Sequence, residues 1–183
     1  YLFNRNLTGS FDLFNNTVTD TSADQRTKSL GFTSGAGFSS ANDFFHNFSY
    51  TLQNVETEKL DSNDNKISTD GGKLLSSLGY RISKDTRDNR FNPTSGYYYA
   101  LSEQFAGLGG DINYLSSILR GSYYYKYDYV DMVVGISGEY GNIEGLDENV
   151  SKSNRFFLGG RKVRGFDSSG IGPRVSEVSS SSA

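Results

Sequence analysis

Few residues of this sequence could carry catalysis. His46 is the one histidine and there is no cysteine, which excludes disulfides and thiolate metal sites. His46 alternates with polar residues and shares a face with Phe48, Tyr50 and Leu52. We therefore expect a packed or interfacial histidine rather than a general base. Ser179–Ser182 belong to the expected tail and do not meet the requirements for a nucleophile with a base. We predict no enzyme activity, no metal and no cofactor.

A second candidate is the acidic and basic segment 85–96, which reads DTRDNRFNPTSG. Asp85 and Asp88 could bind a metal ion, but Arg87 and Arg90 lie beside them. Because guanidinium groups form strong paired hydrogen bonds with carboxylates, a carboxylate–arginine network in a turn is the better interpretation. The members of this predicted turn network are Asp85, Arg87, Asp88, Pro93 and Gly96.

The third candidate is Arg155–Arg174, RFFLGGRKVRGFDSSGIGPR. It contains five of the 21 glycines and five basic residues, and it has no period of 2 or 3.6, so neither a strand nor a helix spans it. Loops of this length are uncommon unless they are functional or disordered. From composition alone, a long surface loop with turn glycines is an equally good interpretation.

The rest of the chain consists of segments in which apolar and polar residues alternate, the pattern of strands with one apolar face. In the fourth, Leu78, Tyr80 and Ile82 alternate with Gly79 and Arg81. The seven predicted strands lie at about Leu2–Asn15, Arg26–Ser39, Phe44–Glu56, Lys73–Asp85, Tyr97–Ala106, Asn113–Tyr125 and Tyr129–Asn142.

The connections favour a transmembrane barrel. We expect polar loops over 17–25 and 57–72, and short turns over 39–43 and 126–128. Long strands, long loops at one end, short turns at the other and tyrosines near strand ends are typical of outer-membrane barrels. A soluble β-sandwich remains the alternative. The net charge of −3 gives no reason to expect nucleic acid as a partner.

Segments 85–96 and 105–111, followed by the loop 155–174, resemble in order and spacing the BamA family of outer-membrane barrel-assembly proteins, the bacterial surface antigen family. The sequence Val163-Arg164-Gly165-Phe166 marks the wider superfamily, and its flanking glycines point to BamA. The resemblance implies an all-β fold, an antiparallel transmembrane β-barrel fragment of about seven strands. They would correspond to strands five to eleven of sixteen, with the VRGF loop folded into the lumen.

The resemblance also implies residue roles. Arg164 would anchor the loop by pairing with carboxylates on the lumen wall, because guanidinium binds carboxylates bidentately. The family's partner acids belong to later strands, and Glu139 is a speculative substitute. The predicted anchor residues are Val163, Arg164, Gly165 and Phe166, and their predicted supports are Phe157, Gly159, Gly160, Gly170, Gly172, Pro173 and Arg174.

The function implied is folding and insertion of nascent β-barrel proteins in the bacterial outer membrane, without nucleotide or covalent chemistry. Expected partners are outer-membrane lipid, client barrels and accessory assembly lipoproteins. A two-partner secretion transporter and a passive pore are the alternatives. We expect barrel wall over 1–154, the loop over 155–174 and a disordered tail over 175–183. Since seven strands cannot close a barrel, the chain is expected to be a fragment that neither inserts stably nor functions alone.

Overall fold

A computed structural model of the chain describes residues 7–20, 25–61, 66–146, 155–156, 158–160, 163–166 and 171. These residues form one antiparallel sheet of seven strands in sequence order. The strands are β1 (Leu7–Asp20), β2 (Gln25–Ser39), β3 (Phe44–Leu60), β4 (Lys66–Asp85), β5 (Gly96–Ala106), β6 (Tyr114–Tyr127) and β7 (Met132–Gly145). The predicted all-β antiparallel architecture is confirmed. Within the described part of the chain no helix has the length and apolarity needed to cross a bilayer.

Two predicted long loops are wrong, and the short turn predicted over 126–128 lies at 128–131, so β7 begins three residues after its predicted start at Tyr129. β1 continues to Asp20 and β2 begins at Gln25, so most of the expected loop over 17–25 is strand. Likewise β3 runs to Leu60 and β4 starts at Lys66, within the expected loop over 57–72. These extensions are mostly polar and their few apolar residues, Val18, Leu60 and Ile67, do not alternate. Hydrophobic alternation therefore cannot reveal them, although backbone pairing continues. Register shifts between Val55 and Thr57 and between Lys59 and Leu60 mark β-bulges in the second extension.

The sheet has two ends. The lower end carries the turns at 40–43, 86–95 and 128–131, and the upper end carries the connections around 21–24, 61–65 and 107–113. At the lower end a single turn of 3-10 helix, Ala41–Asp43, joins β2 to β3. Strand order and turn placement therefore agree with an up-and-down wall whose neighbouring strands follow one another in sequence.

The apolar face of the sheet is open. Cross-strand register aligns Ala36, Phe48 and Tyr80 on it, with Phe38, His46 and Ile82 in the next row towards the lower end. Large side chains here remain exposed, for example Leu13 at 77% and Ile136 at 69%. A continuous exposed apolar face on long strands is the feature expected where a wall contacts lipid.

The opposite, polar face carries Asn47, Arg81 and Ser102 in one row. Most of its buried apolar residues lie near the upper end, where Leu75, Ala106 and Tyr114 form a small cluster with Val55, Ile112 and Ile143 packed against it. Ala100 is buried on the same face nearer the lower end. A polar face of this kind suits the water-filled interior of a barrel.

Candidate functional site: the lower turn and the loop after β7

The turn between β4 and β5 is built by two carboxylates. Asp85 accepts two hydrogen bonds from Arg87, each 2.8 Å long, one from Nε and one from Nη2. Arg90 Nε lies farther away, 3.7 Å from Asp85 Oδ2. The hydrogen bonds from Arg87 lower the pKa of Asp85. The Arg87 guanidinium also lies over the ring of Tyr98, 5.0 Å from its centroid.

Asp88 acts on the backbone of the same turn. Its Oδ1 accepts the amide N–H groups of Thr94 and Ser95, and its Oδ2 accepts the Thr94 hydroxyl at 2.6 Å. These bonds, led by the Thr94 hydroxyl, hold the pKa of Asp88 well below its ordinary value. Asp88 therefore uses neighbouring amides and a hydroxyl where the sequence suggested arginine.

Gly96 ends the turn in a conformation that other residues rarely adopt. Its φ is +97°, and a Cβ atom there would lie 2.4 Å from the carbonyl oxygen of Thr86. Both the backbone angle and the close approach require glycine. Pro93 is half-buried in the turn, so the structure places all five predicted network residues in one short connection.

The loop after β7 folds back on itself. Ile171 N–H donates to the carbonyl of Leu158 at 3.1 Å, and Gly160 N–H donates to the carbonyl of Phe166 at 2.8 Å. Between these contacts Gly160 and Gly165 have φ values of +56° and +91°, which glycine adopts without strain. Val163–Phe166 forms the turn at the tip, with Arg164 and Phe166 exposed.

Among the residues that the structure describes, Phe156 brings this loop against the polar face. Phe156 lies over Gly141 of β7, so that a Cβ atom on Gly141 would meet Phe156 Cε2 at 3.0 Å. Gly141 lies opposite Ile118, in the same cross-strand row as Ser102 and Arg81, and hence on the polar face. The absence of a side chain at Gly141 leaves room for the phenylalanine ring. Sequence reasoning did not identify this pair.

The predicted anchor has no ion-pair partner among the described residues. Glu139, the speculative partner of Arg164, instead accepts a 2.7 Å hydrogen bond from Arg120 Nε on β6. Gly159 is buried beside the Leu158 bridge. The predicted supports Phe157, Gly170, Gly172, Pro173 and Arg174, and the expected tail 175–183, lie outside the described residues.

His46 occupies the apolar face near the lower end. Its ring stacks on Phe38 with centroids 4.9 Å apart. One ring nitrogen is 2.9 Å from the Tyr80 hydroxyl, and the other is 2.9 Å from Ser40 Oγ. The histidine is thus held as a packed side chain by its neighbours.

Glu103 is a further charged residue on the apolar face that the alternating pattern did not reveal. It lies between Tyr80 and Ser117 in the cross-strand register and accepts a 2.5 Å hydrogen bond from Ser117 Oγ. It borders a groove of about 550 Å³ that Phe48, Leu78 and Phe105 also line.

Comparison with known proteins decides the family. The Omp85 superfamily domain matches residues 1–182. The chain belongs to the Omp85 superfamily. It is 33% identical over 132 residues to the outer membrane protein assembly factor BamA of Neorickettsia risticii, covering 72% of the chain and 18% of that protein. A SAM50-like protein of Schizosaccharomyces pombe is 34% identical over 110 residues, covering 57% of the chain and 23% of the relative.

The fold agrees with this membership. The crystal structure of BamA from Haemophilus ducreyi lacking POTRA domains 1–3 matches with a TM-score of 0.79 at 15% identity, over 94% of this chain and 37% of that one. The resemblance to BamA and the bacterial outer-membrane location expected from the sequence are confirmed. The chain spans about a fifth of the length of these curated relatives.

Proposed function

We propose that this chain supplies barrel wall and a lumen-anchoring loop to an outer-membrane insertase that folds and inserts nascent β-barrel proteins. The observation that carries the proposal is the 33% identity to a protein named as the outer membrane protein assembly factor BamA. Outer-membrane lipid contacts the apolar face in this proposal, and client barrels and accessory assembly lipoproteins are the protein partners. No nucleotide and no covalent step is needed.

In this proposal the loop after β7 acts by placing Arg164 on the polar side of the sheet. Phe156 against Gly141 directs the start of the loop onto the polar face, and the Leu158–Ile171 bridge closes the segment that carries Arg164. In the complete barrel, Arg164 pairs with carboxylates on strands beyond this chain. A guanidinium held by two hydrogen bonds fixes the loop in one place, which a lysine cannot reproduce because it lacks the planar fork.

The test is Arg164→Ala in the full-length parent protein, reconstituted in vesicles with an unfolded client barrel. We expect the rate of client folding, followed by heat-modifiable mobility, to fall about tenfold or more, the scale of losing charged hydrogen bonds. Arg164→Lys should also be impaired, and Lys59→Ala, an exposed cation at the same end, should behave as the parent does.

Normal client folding by Arg164→Ala would refute the assigned role. Passage of a soluble polypeptide through the parent barrel, without client insertion, would instead establish a secretion transporter. Ion conductance with neither activity would establish a passive pore.

A further inference from the structure

A charged cluster lies at the upper end of β2, β3 and β4. Its centre is Glu58, whose side chain is 4% exposed. Lys28 Nζ lies 2.8 Å from Glu58 Oε1, Lys66 Nζ lies 3.4 Å from the same oxygen, and Arg26 Nη1 lies 3.7 Å from Oε2. We name these four residues the Glu58 cluster. The hydrogen bond from Lys28 is the main reason that the pKa of Glu58 is lowered, so the carboxylate is charged at neutral pH.

The cluster lies on the apolar face. Side chains along a strand alternate between faces, so Lys28 shares the face of Leu30 and Phe32. Arg26 lies directly opposite Glu58 in the register, and Phe32 lies opposite Leu52. The side that carries exposed apolar residues lower down therefore carries cations at its upper end.

The position of Lys28 along β2 matches the edge of a membrane. Phe38 and Lys28 are ten residues apart in one strand, roughly 34 Å at about 3.4 Å per residue. With a strand tilt of about 40°, this corresponds to a height of roughly 26 Å, close to the ~25 Å apolar band of outer-membrane barrels. Phe38 then marks the lower edge of the band, and the ammonium group of Lys28 reaches the headgroups at the upper edge.

The charges do not cancel. Glu56 lies opposite Lys28 and adds a second carboxylate on this face, so three cations meet two acids and one positive charge remains. Each lysine ammonium has three donors, and Glu58 accepts from Lys28 and Lys66 at one oxygen. The lysine side chains are 45% and 53% exposed. N–H donors of both lysines therefore remain available for a ligand, and the buried Glu58 carboxylate holds the two ammonium groups in place.

We propose that Lys28 and Lys66 bind the phosphate group of an anionic lipid in the outer leaflet, with Arg26 adding to the positive field. Glu58 is a positioning residue, because it brings the two ammonium groups together without touching the phosphate. The ligand is a lipid because the cluster continues the lipid-facing side at headgroup height. The proposal concerns lipid binding at the wall and does not depend on whether the complete protein is an insertase.

The experiment measures lipid binding by the full-length parent in phosphatidylcholine nanodiscs with and without phosphatidylglycerol. Lipids retained after extraction are counted by native mass spectrometry. Lys28→Ala with Lys66→Ala should weaken phosphatidylglycerol retention about 25-fold, from about fivefold per lysine near a lipid surface. The matched control is Lys59→Ala with Lys73→Ala, which removes equal charge at the same end from the polar face and should change retention little.

Glu58→Gln separates binding from a structural role. The amide oxygen of glutamine can still accept hydrogen bonds from both lysines, whereas the negative charge between them is lost. Retention of the anionic lipid should therefore rise, whereas a merely structural cluster would retain less. Equal losses in the two lysine pairs, or unchanged or reduced retention in Glu58→Gln, would overturn the proposal. Displacement of the lipid by inorganic phosphate at matching concentration would also overturn it, because the site would then be one for soluble anions. If the lysine variant fails to fold, Glu58→Gln alone decides.

Discussion

Asp88 shows how much of a turn one carboxylate can organise. It accepts two backbone N–H groups and one hydroxyl across six and seven residues of chain. The charged form accepts these bonds best, which is why the pKa lies below the ordinary value of 3.8. A depressed pKa means that the stabilisation is complete above that ordinary value and is lost as the pH falls through the lower pKa of the folded turn.

We therefore expect acid to open this turn only at a pH well below 3.8. The measurement is the amide NMR shift of Thr94 and Ser95 in the labelled full-length protein during an acid titration. Asp88→Asn is the control and should abolish the transition. A midpoint at or above 3.8 would show that the carboxylate does not prefer its folded environment.

Gly141 leaves room for the ring of Phe156, which packs over it. Gly141→Val would bring a Cβ atom to 3.0 Å from Phe156, so the ring must move away and the start of the loop should leave the polar face. We expect faster trypsin cleavage of the loop in the full-length barrel. Gly138→Val is the matched control, since a Cβ atom there meets nothing within 4 Å. Equal cleavage of both variants would contradict the packing role of Phe156.

At the scale of elements, the sequence predicts the strands where one face is apolar and fails where both faces are polar. β5 begins one residue from its predicted start and ends as predicted, because Tyr97, Tyr99, Leu101 and Phe105 alternate with polar or small residues. β4 begins seven residues before its predicted start at Lys73. In this extension backbone hydrogen bonds hold the strand in the sheet and water solvates both faces. The sequence therefore needs no alternation of apolar and polar residues.

The candidate site, too, can be predicted only in part from the sequence. The residues of the turn network could be singled out because they lie within one connection, whereas the partners of Asp88 could not be predicted. The Phe156–Gly141 contact and the Glu58 cluster join residues from separate elements. Lys28 and Lys66 meet at Glu58 only because the strands bring distant residues together, and periodicity does not fix which residues lie opposite each other.

Gly31 lets β2 and β3 approach closely, and a substitution there tests whether this close approach stabilises the sheet. A Cβ atom on Gly31 would lie 2.3 Å from the Leu52 carbonyl oxygen and 2.5 Å from Gln53 Cβ. Gly31→Ala should therefore displace the two strands and lower the free energy of unfolding by about 1–3 kcal/mol, the usual cost of overpacking. Urea unfolding of the full-length protein in lipid measures this, with Gly121→Ala as the control because its Cβ would meet nothing within 4 Å. Similar stability in both variants would show that the strands adjust freely.

At the scale of the molecule, the described sheet is open. β1 and β7 each pair on one side only, which leaves a row of backbone donors and acceptors along each outer edge. Lipid cannot satisfy these groups, so a spanning sheet must close. The share of its relatives that the chain covers, 18% of the Neorickettsia protein, agrees with a wall completed by further strands.

We expect the 183-residue chain alone to form no heat-modifiable, protease-resistant species in lipid vesicles. The full-length parent, treated in the same way, is the positive control. A resistant membrane-inserted form of the isolated chain would mean that copies of it can satisfy one another's edges, and the argument from open edges would fail.

The length of β4 has a consequence for the surface of the cell. Twenty residues at about 3.4 Å each and a tilt of about 40° rise roughly 52 Å, about twice the ~25 Å apolar band. Part of that length lies below the band. The hairpin tip at Leu60 is fourteen residues above His46, which lies in the row of Phe38, so it rises roughly 36 Å and ends about 11 Å above the apolar band, at the level of the Glu58 cluster. We expect this tip to be accessible from outside the cell in the complete protein.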